Sequence, residues 1–438
     1  PVAEALRLGP VERWQSEPAR LWAVRVLSNG LAFLACVLLV GRVSEGIAGG
    51  LGGPALVAFG LGTLMAPLAA ANFGHVAAAC LGFGGFLLAW NRRMLAAGLL
   101  AGAAVLFEYQ AAIVSAIVAC YVAFHGLRAL LRFAAGAVPG IALLAAYETA
   151  AFGRPWHLSY AYVANRFAED QAHGLFGIGA PHGFSTYIVF AGGGGLLVIS
   201  PVLVAAAFGL VPLGRRHRLE AFVCGAVVVA FLALNCGYFL AYGGFSPGPR
   251  FLVPALPFLA LGLAPAFARA PRLTAALAVL SVFATTVRML TWNYPRPEQQ
   301  TLWGDMVRTP YGVASTAITG DLPGSWPQWL GLGLGRGVGA ALVSAAAIAA
   351  VAVSLRDVVR MPSALGRRGQ VAVAVAVVLI VVADLGGITG FPFDYREQFH
   401  RHENAAPALR MVYPAGGAGS AALTAASSPF PHSSSQKR

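Results

Sequence analysis

Residues 92–132 read RRMLAAGLLAGAAVLFEYQAAIVSAIVACYVAFHGLRALLR, and the way this stretch crosses a bilayer decides the fold. As one helix, the apolar part from Met94 to Phe124 would be about 45 Å long, well beyond a hydrocarbon core of about 30 Å. As two spans it gives helices of about 14 residues, each short of a full crossing. Arg92 and Arg93 precede the stretch, and Arg128 and Arg132 follow it. Positive charge collects in cytoplasmic loops, so both ends belong to one side and the number of passes is even. Two short helices therefore meet near Glu108–Tyr109, with their turn sunk below the membrane surface in a protein-lined cavity.

The rest of the chain is of the same kind. Mean hydropathy is +0.70, with 58% hydrophobic and only 11% charged residues, which excludes an ordinary soluble domain. Apolar stretches fall at 21–40, 51–71, 76–90, 94–107, 110–124, 133–152, 187–213, 221–242, 251–268, 273–292, 338–355 and 371–388. The predicted fold class is all-α, a polytopic integral membrane bundle of about 12 transmembrane helices. A net charge of +13 invites a nucleic-acid partner, but the basic residues are spread over connectors rather than drawn into a stripe with aromatics. No nucleic-acid function is expected. Cys36, Cys80, Cys120, Cys224 and Cys236 all sit in apolar stretches and read as small core residues.

Carrying the alternation through, the inner connectors hold Arg42, Arg92, Arg93, Arg128, Arg132, Arg215, Arg216, Arg218, Arg269, Arg272, Arg356, Arg360, Arg367 and Arg368. Only Glu45, Glu220 and Asp357 accompany them, so fourteen of the seventeen carboxylates fall outside. Both termini come out external. Residues 1–20 form an outer segment, 21–391 the membrane domain with long outer loops at 153–186 and 293–337, and 392–438 a tail that is largely disordered. Pro1 stands where an initiator Met would, so the expected protein is processed or is a piece of a longer one.

Several outer residues are candidates for chemistry. Glu108 and Tyr109 lie between two apolar half-helices, where a carboxylate faces a cavity or a partner as a ligand-binding or metal-assisting acid. Arg250 ends the stiff turn GGFSPGPR at the start of the next span. A helix start and a guanidinium together suit a phosphate or pyrophosphate. His75 stands at the outer end of a span. The loop 153–186 adds Tyr160, Tyr162, Glu169, Asp170 and His173 on an aromatic, amphipathic background. Trp303, Trp326 and Trp329 mark the loop 293–337, where they can stack on sugar faces or form an interfacial belt. No nucleotide-binding, serine-hydrolase or zinc-protease motif occurs.

These features resemble the GT-C membrane glycosyltransferases, particularly bacterial members related to protein O-mannosyltransferases and lipopolysaccharide-core glycosyltransferases. Four short motifs carry the resemblance: Arg25-Val-Leu-Ser-Asn-Gly before an apolar span, Asn72-Phe-Gly-His75, Gly98-Leu-Leu-Ala-Gly102 through Glu108-Tyr109, and Tyr242-Gly-Gly-Phe-Ser-Pro-Gly-Pro-Arg250 followed by Phe251-Leu-Val-Pro-Ala-Leu-Pro. It covers most of 21–292, with the first helix and most of the first outer loop apparently lacking. The resemblance implies a GT-C-like bundle in the inner or plasma membrane, active on its exoplasmic face. The donor would be a polyprenyl-phosphate-linked sugar and the acceptor a glycan, lipid or protein, with membrane lipids around both. It fixes no cofactor and allows a divalent cation. It assigns the donor phosphate to Arg250, and places the catalytic base upstream of Pro1, so that no residue here is named for it. A transporter or lipid flippase and a noncatalytic membrane partner are the other functions the span pattern permits.

Overall fold

The computed structural model describes residues 24–69, 73–162, 168–191, 195–243, 246–291, 335–363, 366 and 375. The segment 1–20, the loop 293–337 up to residue 334, most of the span 371–388 and the tail 392–438 lie outside the described residues. Every regular element described is helical. After a π-turn at Val26–Gly30 come α1 (Leu31–Ile47), α2 (Gly52–Gly62), α3 (Met65–Ala69), α4 (His75–Trp90), α5 (Met94–Phe107), α6 (Ala111–Ala123) and α7 (Leu127–Phe152). A 3₁₀ turn at Ser159–Tyr162 leads to α8 (Ala168–Ala172), α9 (Gly183–Ala191), α10 (Leu196–Ile199), α11 (Val202–Gly214) and α12 (Arg218–Gly237). A second 3₁₀ turn at Arg250–Ala255 precedes α13 (Leu256–Ala260), α14 (Leu263–Arg269), α15 (Pro271–Thr291) and α16 (Gly335–Leu355).

The protein is a helical membrane protein, and several of its apolar stretches are not single straight helices among the described residues. Among the described residues three helices are long and apolar enough to cross, Val26–Ile47, Leu127–Phe152 and Arg218–Gly237, or five if each of two bent pairs counts as one span. Proline and glycine break two of the stretches, because mean hydropathy does not register a lost N–H or a free φ. The stretch 187–213 breaks at Ser200–Pro201 and bends by 85° between its two parts. The stretch 251–268 opens in a 3₁₀ turn containing Pro254 and bends by 54° near Gly262. The stretch 51–71 stops at Thr63, whose extended backbone ends α2 and whose hydroxyl accepts from Met65 N at 3.3 Å. The first span also runs on past residue 40, so Arg42 and Glu45 belong to α1 and not to a connector.

The stretch 92–132 does turn in the middle. α5 ends at Phe107, Glu108 is extended at φ −149° and ψ 121°, and α6 starts at Ala111. The Ser115 hydroxyl donates to the Ala101 carbonyl across this hairpin at 2.9 Å. α4 is the centre of the bundle: Phe83 meets Phe258 edge-on at 5.3 Å, and Phe86 lies 5.9 Å from Tyr121 near the far end of α6. α7 runs parallel to α5 in direct backbone contact, Gly98 against Phe133 and Gly102 against Ala137. Cys120, expected in the core, is exposed on the outer side of α6.

The two ends of the bundle differ in chemistry. At one end Trp90 meets His217 at 5.2 Å, and the Tyr121 hydroxyl donates to Glu220 at 2.7 Å. Around them Arg92, Arg93, Arg128, Arg132, Arg215, Arg216 and Arg218 are exposed. Because α4 and α5 are antiparallel, the start of α4 and the end of α5 share the opposite end, with His75, Glu108 and Tyr109.

Candidate functional site

Glycine makes the approach at this end possible. A Cβ on Gly74 would lie 2.8 Å from the Phe107 carbonyl oxygen and 2.9 Å from Oε1 of Glu108. The start of α4 can therefore press against the α5–α6 turn only without a side chain there. This brings Nδ1 of His75 to 3.0 Å from Oε1 of Glu108. The His75 side chain is 4% exposed and that of Glu108 14%, so the carboxylate is the more open partner. The imidazole is flanked by Phe73, nearly parallel at 5.9 Å, and by the edge of Phe251 at 5.6 Å. Neither of its nitrogens has a well-aligned hydrogen-bond partner.

Arg250 enters from the other half of the chain. Gly243 has φ +76°, in the left-handed region, and a Cβ there would lie 2.9 Å from Nε of Arg250. The turn before the 3₁₀ segment thus tucks the arginine in. Its guanidinium carbon stands 4.6 Å from the ring centre of Phe73 and 5.3 Å from that of Phe251, a cation between two aromatic faces. Its Nε is buried without a partner, and no carboxylate among the described residues forms an ion pair with it. Glu108, Tyr160 and Tyr238 are the charged or ionisable groups close enough to feel it.

Two phenols complete this wall. Tyr238 packs edge-on against Phe251 at 4.8 Å, and Tyr160 against Tyr109 at 5.3 Å. Burial pushes the Tyr238 phenol up to about 12, with Arg250 opposing and Asp170 adding to the rise. Burial and then Glu108 raise Tyr160 as well. Both therefore stay neutral hydroxyl donors at physiological pH.

Tyr109 faces the other way from its neighbour. Its hydroxyl donates to Oε1 of Glu148 on α7 and lies 3.1 Å from the Ser159 hydroxyl. Glu148 is fully buried, and its Oε2 has no partner. Inside a helix that otherwise shows mainly apolar side chains outward, this acid is the functional candidate that the residue pattern did not single out. Its one sequence signal is a carboxylate within an apolar span, the signal that marked Glu108. Tyr109→Phe should destabilise the protein by about 3 kcal/mol, because it leaves a buried carboxylate with no donor. Adding Glu148→Leu should restore most of that loss in thermal unfolding in detergent. A single Phe substitution without effect would show that the tie carries no energy.

Of the residues expected to form the cavity, the structure draws His75, Glu108, Tyr109, Tyr160 and Arg250 together, with Asp170 near enough to act on Tyr238. It does not bring in the other three. Tyr162 stacks on Phe152 at 4.6 Å and meets Nδ1 of His157 at 2.7 Å. Glu169 and His173 are exposed, the imidazole lying 2.7 Å from the Glu169 carbonyl oxygen within one helical turn. Phe73 and Tyr238 join instead. Among the described residues no three His, Cys, Asp or Glu side chains are grouped to hold a metal ion. Comparison of the chain with family models, with curated proteins and with solved structures finds no match in any of the three.

Proposed function

We propose that the protein is a glycosyltransferase that moves a sugar from a polyprenyl-phosphate donor to an acceptor at the exoplasmic face of a membrane. One observation carries this: a half-buried Arg250 whose Nε is sealed without a partner, its guanidinium held between Phe73 and Phe251 and unpaired with any described carboxylate. A desolvated cation without a counter-ion is costly, and the cost is offset when an anion completes the site. A guanidinium grips phosphate oxygens two at a time. Aromatic and aliphatic surroundings suit a phosphate that arrives on a lipid tail and leaves on it. The site also lies at the end opposite the arginine-rich connectors, which by the positive-inside rule supports an exoplasmic reading.

A lipid flippase is the second reading, favoured by the two bent helix pairs, since broken helices line many transport paths. Full-length protein in proteoliposomes, given a pool of radiolabelled sugars on polyprenyl phosphate, separates the two. Covalent transfer of label to a water-soluble or lipid acceptor is the expected result. Movement of the labelled lipid between leaflets, with no label leaving it, would replace transferase by flippase.

A further inference from the structure

We infer that Glu108 is the proton acceptor of the transfer reaction and that His75 is its positioning residue, an inference that rests on the transferase function proposed above. The resemblance described for the sequence puts the base in an outer loop upstream of Pro1. The geometry points to a carboxylate within this chain.

Among the described residues the other acids at this end are worse placed. Glu148 is sealed, and its Oε1 is already engaged by Tyr109. Glu169 is exposed on α8. Asp170 acts on Tyr238 and is not a neighbour of Arg250 in the way Glu108 is. Glu108 combines three properties that a base needs. Its backbone is fixed in an extended step between two helices. One oxygen lies 3.0 Å from Nδ1 of His75, whose side chain is 4% exposed, so a buried imidazole stands against the carboxylate. The Glu108 side chain is 14% exposed, which leaves it a path to a hydroxyl.

The neighbourhood supplies the other half of the reaction. Phe73 stacks on His75 and also receives Arg250 at 4.6 Å, so the imidazole beside the base and the guanidinium share one aromatic ring. In a single displacement the acceptor oxygen forms a bond to the sugar's anomeric carbon. The bond from that carbon to the phosphate oxygen breaks, and its electron pair leaves with the polyprenyl phosphate, held by Arg250. The acceptor proton passes to the Glu108 carboxylate and from there to water. No redox partner is required.

The test uses the full chain in proteoliposomes with labelled sugars on polyprenyl phosphate, and reads both transfer and thermal stabilisation by polyprenyl phosphate alone. Glu108→Gln should lower kcat at least about 100-fold, the scale of general-base catalysis, while stabilisation by polyprenyl phosphate is retained. Retained stabilisation also shows that the variant is folded. Glu108→Asp should recover part of the rate. His75→Asn, which keeps a nitrogen donor where Nδ1 stands, should hold kcat within about tenfold, and His75→Leu should lose more kcat than KM. Glu108→Gln transferring at the parent rate, or losing polyprenyl phosphate binding along with transfer, overturns the assignment while transferase function stands. A parent protein that binds polyprenyl phosphate and transfers nothing overturns both.

Discussion

Gly98→Ala is expected to leave no monodisperse protein in detergent, a destabilisation above about 4 kcal/mol, in the range reserved for severe packing failures. The added methyl would sit 1.8 Å from the Phe133 carbonyl oxygen, on the backbone of the neighbouring helix. No side-chain rotation relieves such a clash, so α5 and α7 must separate. The contact is reciprocal, because a Cβ on Gly136 would lie 2.0 Å from the Leu95 carbonyl oxygen. Gly102 and Gly140 repeat the arrangement one turn on. Lipid gives two helices little hydrophobic reason to associate, and close backbone packing supplies it instead. α7 depends on this contact more than most, since only Phe133, Gly136, Gly140 and Glu148 along its length are buried. Gly225→Ala is the control. It too lies within a helix but has nothing within 4 Å of the added carbon, and should be neutral or slightly stabilising. Fluorescence-detected size exclusion and thermal unfolding read both variants, and a normal profile for Gly98→Ala would mean the helices are not in contact as described.

Arg250→Gln should weaken binding of polyprenyl phosphate at least about 100-fold while changing the stability of the free protein by less than about 1 kcal/mol. Two charge-assisted hydrogen bonds to phosphate are worth roughly 1.5–3 kcal/mol each, which sets the size of the binding loss. Stability is a balance. Desolvating an unpaired cation costs several kcal/mol, and two cation–π contacts return about 0.5–2 kcal/mol apiece. Removing the charge therefore removes cost and gain together. Arg250→Lys keeps the charge but not the two-point grip, and should fall between parent and Gln. Thermal shifts with and without polyprenyl phosphate measure all three proteins. A large loss of stability in Arg250→Gln without ligand would mean that the arginine is a structural tie.

The turn between α5 and α6 was legible because charge parity and helix length both demand it, independently of any side-chain detail. Arg250 stood out for a similar reason, a cation in a short proline-rich connector at the end where arginine is scarce. Other features were hidden by the measures used to find them. Average apolarity runs straight through Ser200–Pro201 and Gly262, where the backbone bends. Glu148 was masked by the apolar helix around it, and its importance appears only when Tyr109, 39 residues earlier, is laid against it. The four-residue glycine spacings on α5 and α7 can be seen in the chain, but which helix receives which cannot. Tyr162, Glu169 and His173 share the composition of the outer loop without sharing its position.

The extended step at Glu108 makes the numbering of this turn unusually sensitive. Consecutive side chains leave it on opposite sides, the carboxylate to His75 and the phenol to Glu148. Inserting one residue ahead of position 108 would carry the carboxylate into the place of the phenol. Two carboxylates would then meet on α7's side of the bundle, and the imidazole would face the inserted residue. Sequences that share this architecture can accordingly vary the lengths of α5 and α6 by whole turns, but not the count of residues between the two helices.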